Sequence, residues 1–121
     1  MFAAIYQIYL KRGQEKEYLQ SWKIVSRYFT QNCGAIHSTI HQVEDGSWLI
    51  YSKWPNKKKK EKFWPQEKEK FEAVFLKFPK EIQLAIQTMQ ECKIPDMQKH
   101  VLHAKVIDFC VKNKDTKNLY C

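Results

Sequence analysis

Residues 34–55, GAIHSTIHQVEDGSWLIYSKWP, constrain the fold more than any other stretch of the chain. Two runs rich in Ile, Thr, Tyr and Trp flank Asp45-Gly46. An Asp-Gly pair between such runs signals a β-hairpin, because a type I′ turn requires positive φ at both central residues. A two-residue loop sets Glu44 opposite Ser47, Val43 opposite Trp48 and His41 opposite Ile50. Opposed residues share one side of a sheet. One face then carries Val43, His41, Thr39, His37, Trp48, Ile50, Ser52 and Trp54. The other carries Gln42, Ile40, Ser38, Ile36, Leu49, Tyr51 and Lys53. Large apolar groups stand on both sides, so each side calls for a cover.

The flanking segments supply the covers. Residues 2–11 alternate and are rich in Ile, Tyr and Leu, which predicts a strand. Phe2, Ala4, Tyr6, Ile8 and Leu10 fall on one of its faces, Ala3, Ile5, Gln7 and Tyr9 on the other. Residues 14–32 place Tyr18, Trp22, Val25 and Phe29 at helical spacing, with Leu19 and Tyr28 alongside. Gly34 follows, able to adopt the left-handed conformation that ends a helix. Trp54-Pro55-Asn56 stops the second hairpin strand. A short helix is expected from Lys57 to Trp64, broken by Pro65. Residues 66–78 carry Phe71, Val74, Phe75 and Phe78 at helical spacing. Pro79 opens a further helix with Ile82, Ala85, Ile86 and Met89 on its apolar side, ended at Ile94-Pro95. Residues 99–111 read as a last strand, and 112–121 as a polar tail that frays.

Composition narrows the classes. The 121 residues suit one domain, here 1–111, with the tail beyond it. No apolar run approaches a membrane span, and the N-terminus lacks the basic start of a signal peptide. Cys33, Cys92, Cys110 and Cys121 show no metal-ligand spacing and read as reduced thiols of a cytoplasmic protein. The net charge of +8 raises nucleic-acid binding. Much of the excess sits in Lys57–Lys62, KKKKEK, which reads better as a solvated helix start than as a phosphate-binding patch. Aromatics do not alternate with basic residues elsewhere, as a single-strand platform requires. Neither nucleic acid nor membrane is expected as a partner.

The order strand, helix, strand, strand, helices, strand is the βαββαβ pattern of a ferredoxin-like α+β fold, an antiparallel sheet with helices on one side. The extra helices precede the last strand. Because the uncovered sheet face is also apolar, a second copy packing sheet to sheet is the economical cover, and a homodimer is expected.

Gly34, Ser38, Ile40-His41, Asp45-Gly46, Tyr51 and Trp54-Pro55 follow one another as in the antibiotic biosynthesis monooxygenase-like family, and the stretch from Tyr18-Leu19 and Trp22 to Trp64 extends the likeness. This resemblance implies a dimeric α+β barrel. Relatives include cofactor-independent oxygenases acting on aromatic polyketides, haem-degrading enzymes and members without known activity. The helical segment between Pro65 and Ile94 is longer than the family's usual one.

The resemblance also places a ligand between helices and sheet, in a cleft bounded by Trp22, Trp64 and one hairpin face. The expected face holds His37, His41, Ser52 and Trp54, imidazoles beside aromatic surface. Cofactor-independent oxygenation requires a substrate phenol to lose its proton in a dry pocket. His41 is the expected base, His37 its reserve, and Tyr6 or Tyr51 the group that orients a substrate oxygen. Core packing is the competing role for the tryptophans, and partial burial with a satisfied hydrogen bond for each His. Haem ranks second: Trp64 matches the family's Trp, but Tyr6-Gln7 stands where an Asn is wanted. His100 and His103 lie on a strand, whereas the relatives' ligand is helical. Spaced three apart on a strand, those two point to opposite faces, so no metal site is expected. Asp45 is assigned to the turn. The expectation is thus a homodimeric oxygenase acting on a small aromatic or quinone-like molecule without a metal, or else a non-catalytic ligand-binding or regulatory module on the same fold.

Overall fold

Phe2–Ile8 forms β1, and its apolar character on both faces suits the middle of a sheet. In the computed structural model, which describes residues 1–95 and the backbone of 99–105, β1 is followed by seven further elements. These are α1 (Glu15–Asn32), β2 (His37–Gln42), β3 (Trp48–Trp54), α2 (Lys57–Phe63), α3 (Lys68–Phe75), α4 (Lys80–Cys92) and β4 (Lys99–Lys105). The strand order is β2-β3-β1-β4, with every neighbouring pair antiparallel. This is the ferredoxin-like arrangement expected from the element order. The expected continuation of the last strand to residue 111 and the tail 112–121 lie outside the described residues.

The hairpin differs from the sequence expectation by one residue. Gln42 pairs with Trp48, His41 with Leu49 and Ile40 with Ile50. The loop is longer than a two-residue turn. Gly46 N–H donates to Val43 C=O (3.0 Å), closing one turn, and Val43 N–H donates to Ser47 C=O (2.8 Å). Gly46 sits at φ +89°, the left-handed residue that follows such a turn. Ser47 N–H and Oγ–H both donate to Asp45 Oδ1, so the aspartate locks the loop. Those two donors hold the Asp45 carboxyl below its ordinary pKa range. Because side chains alternate, a slip of one residue exchanges the faces of β2 relative to β3. Ile40 and Ser38 therefore join Ile50, Ser52 and Trp54, while His37, Thr39 and His41 join Leu49, Tyr51 and Lys53.

All four helices pack on the face of Tyr6, Ile8, Ile50 and Trp54. From α1, Tyr18, Val25 and Phe29 are buried, and from α4, Ile82, Ala85, Ile86, Met89 and Cys92. Phe29 is the junction. Its ring meets Trp54, Trp64 and Phe78 edge-on at centroid distances of 6.0, 5.4 and 5.4 Å. After α1, Ala35 N–H donates to Phe29 C=O (3.2 Å) while Gly34 adopts φ +80°, the helix ending expected there. A Cβ on Gly34 would lie 2.6 Å from Cε of the exposed Lys59 side chain, which can swing aside, so the left-handed φ is what calls for glycine here. Asn56 caps α2 by accepting the Lys59 N–H (2.8 Å). Ile5, Thr39, Leu49 and Tyr51 stand on the opposite sheet face and are absent from the helix-side core.

Gly46→Ala is expected to lose about 1–2 kcal/mol in urea unfolding through backbone strain alone, since a Cβ there meets nothing within 4 Å. Gly46→Asn should lose less, because Asn tolerates the left-handed region. Phe29→Ala is expected to lose about 3–5 kcal/mol by the same measurement. A smaller loss for Phe29→Ala than for Gly46→Ala would contradict the junction assigned to that ring.

Candidate functional site

Between α1, α4 and the sheet lies a cavity of about 110 Å³ that opens to solvent. Each lining residue reaches it for a local reason. Tyr6 and Ile8 come from the inward face of β1, and Ile50, Ser52 and Trp54 from that of β3. Tyr18, Trp22, Val25, Ser26 and Phe29 come from α1, one turn after another along its apolar stripe. Ser38 comes from β2, Trp64 from the end of α2, and Met89 and Lys93 from α4 and its end. Trp64 is braced against Phe29 (5.4 Å, 90°) and Phe71 of α3 (4.8 Å, 76°). The α3 segment thus supports the wall rather than filling the space.

Of the residues singled out in the sequence, Tyr6, Trp22, Ser52, Trp54 and Trp64 converge on this cavity. Tyr51, His37 and His41 do not line it. They belong to the other side of the sheet, where His37 and His41 are exposed on the edge strand β2. The one-residue difference in hairpin register is the cause. The expected pairing of His37 and His41 with Ser52 and Trp54 on one face is therefore corrected, and Ser38 occupies the inward position instead. Among the described residues no imidazole or carboxylate lines the cavity. Nor do three His, Cys, Asp or Glu side chains gather there as a metal site requires. The described wall therefore offers a haem no axial imidazole. His100 and His103 are in register with Tyr6 and Ala4 respectively.

Burial sets the electrostatics. The Tyr6 hydroxyl is pushed far up its pKa scale by burial, and secondarily by the charge of Glu61. Tyr18 is pushed up likewise, by burial and then by Cys92. Both stay protonated at ordinary pH and act as hydrogen-bond groups rather than bases. Lys93 is pushed the other way, because burial disfavours its ammonium.

Two lysines escaped the sequence reading. Lys60, inside the run read as solvated, is 0% exposed. Its Nζ lies 3.3 Å from Glu61 Oε1 and 6.0 Å from the Tyr6 ring centroid. Lys60 is one turn before Phe63 and Trp64, so it shares their inward side, and that spacing could have revealed it. Lys57, Lys58, Lys59 and Lys62 are exposed, as expected. Lys93 continues the stripe Ile82, Ile86, Met89 by one more turn, which was equally visible in the spacing.

The fold and cavity define the molecule's class: a ferredoxin-like α+β domain with a cavity lined by aromatic side chains beneath its helices. No protein-family model and no curated protein matches the sequence. Solved structures do. A Nitrosomonas europaea protein, provisionally named an antibiotic biosynthesis monooxygenase, is similar at 13% identity and TM-score 0.61, over 89% of this chain and 100% of its own. One of the same provisional name from Bordetella bronchiseptica is 13% identical with TM-score 0.60, over 88% and 96%. SnoaB, a cofactor-independent oxygenase from Streptomyces nogalater, is 8% identical with TM-score 0.55, over 89% and 94%. The chain therefore has the fold of the antibiotic biosynthesis monooxygenase structures, as its hairpin and helix signatures suggested. No helix among the described residues is long and apolar enough to cross a membrane.

Burying Lys60 costs stability that its pair with Glu61 offsets only in part, since its net pKa is lowered by desolvation. The native state then holds that proton less tightly than the unfolded chain. Stability should rise with pH between the lowered native pKa and the ordinary value of 10.5. Lys60→Met is expected to be more stable than the parent by about 1 kcal/mol near neutral pH. In urea unfolding at a series of alkaline pH values, that advantage should shrink as pH rises. A constant advantage would show that the amine's charge is not the cause.

Proposed function

We propose that this protein is a cytoplasmic, homodimeric oxygenase-like enzyme that takes a small aromatic or quinone-like molecule into the cavity and works on it without a bound metal. The observation that carries this reading is the aromatic cavity itself. Trp22, Trp54, Trp64 and Phe29 offer flat apolar surface, and the additional helices brace that surface instead of plugging the space. The fold it shares with SnoaB, described as a cofactor-independent oxygenase, supports the reaction class.

In this reading the side chains bind, orient and dry the substrate. The tryptophans hold the ring by stacking and exclude water. The protonated Tyr6 hydroxyl hydrogen-bonds a substrate oxygen and strengthens as charge develops there in a low-dielectric setting. A substrate phenol that gives its proton to solvent water at the cavity's open mouth becomes an electron-rich anion able to pass an electron to molecular oxygen. His37 and His41 stand outside reach of a ring in the cavity, so neither takes that proton. A second copy of the chain is the proposed cover for the face of Ile5, Leu49 and Tyr51, with His37, His41, Lys53 and Gln7 around them.

A second reading, a non-catalytic module that holds a small ligand, is favoured by the lack of an imidazole or carboxylate among the described lining residues. The two readings separate in one experiment. Oxygen uptake is followed with a panel of hydroxylated aromatics and quinols, alongside binding by tryptophan fluorescence. Uptake unaffected by a chelator and lowered at least about tenfold by Trp64→Ala supports the enzyme. Binding without uptake supports the module. His41→Ala should leave binding unchanged. Sedimentation at micromolar concentration should give twice the chain mass, and Leu49→Asp should reduce it to one chain. A parent protein that sediments as one chain would remove the second copy from the proposal.

A further inference from the structure

Two serines stand side by side in the cavity wall. Ser38 of β2 and Ser52 of β3 are directly opposed in register, and both line the cavity. Opposed residues share a face, and a serine oxygen is one bond from Cβ, so both hydroxyls belong to the wall itself. Inward strand positions favour branched or aromatic side chains, and Ile40, Ile50 and Trp54 fill the neighbouring ones. Two polar groups set among them are costly unless something hydrogen-bonds them. The protein supplies little. Among the described residues, Ser38 Oγ has no hydrogen-bond partner, and no bond joins the two hydroxyls. Ser52 Oγ donates only to Ala4 C=O, at 3.5 Å, well beyond the usual length of about 2.7–2.8 Å for a hydroxyl bond.

We propose that Ser38 and Ser52 form a seat for one hydroxyl oxygen and make the cavity selective for a single-ring phenol. The inference rests on the cavity being the ligand site and goes beyond that reading by naming the number of rings and the residues that recognise the oxygen. Spacing supports the seat. Cβ atoms of opposed residues stand about 4.5–5.5 Å apart, so two hydroxyls so placed can both reach one oxygen between them at about 2.7–2.8 Å. A phenol hydroxyl suits both. It donates to Ser52 Oγ, whose own proton is directed at Ala4 C=O, and it accepts from Ser38 Oγ–H. An ether oxygen can only accept, so it leaves Ser52 unmatched. Size follows from volume. An apolar cavity of about 150 Å³ accommodates benzene, so a space of about 110 Å³ holds one ring and leaves a second fused ring in solvent at the mouth. Trp22, Trp54 and Trp64 give the enclosed ring its apolar surface.

The probes are phenol, toluene as its isostere without the oxygen, anisole as its acceptor-only ether, and 2-naphthol. Affinities are read by quenching of tryptophan fluorescence and checked by calorimetry. Phenol should bind at least about tenfold tighter than toluene or anisole. Ser38→Ala and Ser52→Ala should each remove most of that preference while toluene binds as before. An equal loss for phenol and toluene would mark the serines as structural and overturn the seat. The compound 2-naphthol should bind no tighter than phenol, although it carries more apolar area; tighter binding overturns the ring count. Equal affinity for phenol and toluene in the parent protein overturns the seat but leaves the cavity as a ligand site. Failure of every ring to bind overturns both. The parent protein decides the hydroxyl preference on its own, so the test stands even if a serine variant does not fold.

Discussion

One ring ties the molecule together. Phe29 lies on α1, and its edge-on contacts reach β3 through Trp54, the end of α2 through Trp64, and the turn before α4 through Phe78. Edge-to-face packing is directional, so it sets the orientation of each partner as well as its distance. Four elements that are distant in sequence are thereby held at fixed angles. The cavity lies among these elements, and Phe29, Trp54 and Trp64 all line it.

That opening governs the chemistry of every polar group beside it. Removing water raises the cost of charge, so Tyr6 and Tyr18 are held as neutral hydroxyls and Lys93 is held less firmly as a cation. Lys60 is the most extreme case, wholly enclosed and paired with Glu61 below the Tyr6 ring. A pair of this kind adds little net stability, since desolvation works against the Coulomb attraction. The charge of Glu61 is part of why the tyrosine keeps its proton.

Much of this was legible in the residues. The stripe Tyr18, Trp22, Val25, Phe29 announced α1 and its inward side, and Ile82, Ala85, Ile86, Met89 did the same for α4, because a helix repeats its exposure every turn. Alternation in residues 2–8 set the two faces of β1 correctly, placing Tyr6 and Ile8 together. Five of the expected site residues, Tyr6, Trp22, Ser52, Trp54 and Trp64, meet at one cavity. The partners of the hairpin were not legible to the same degree. Asp45-Gly46 fits a two-residue loop and a three-residue loop equally well by composition, and only the hydrogen bonds of Val43, Gly46 and Ser47 choose between them.

The sequence alone determined which elements form, in which order, and which side of each helix is apolar, because those depend on local periodicity and on Gly and Pro at the breaks. Tertiary structure decided which sheet face the helices cover, and with it the exchange of His37 and His41 for Ser38 at the inward positions of β2. It also decided that Lys60 is enclosed and that Lys93 lines the cavity. Register and enclosure are set by contacts among residues far apart in the chain, and a slip of one residue in a ladder of period two reverses every side chain it carries.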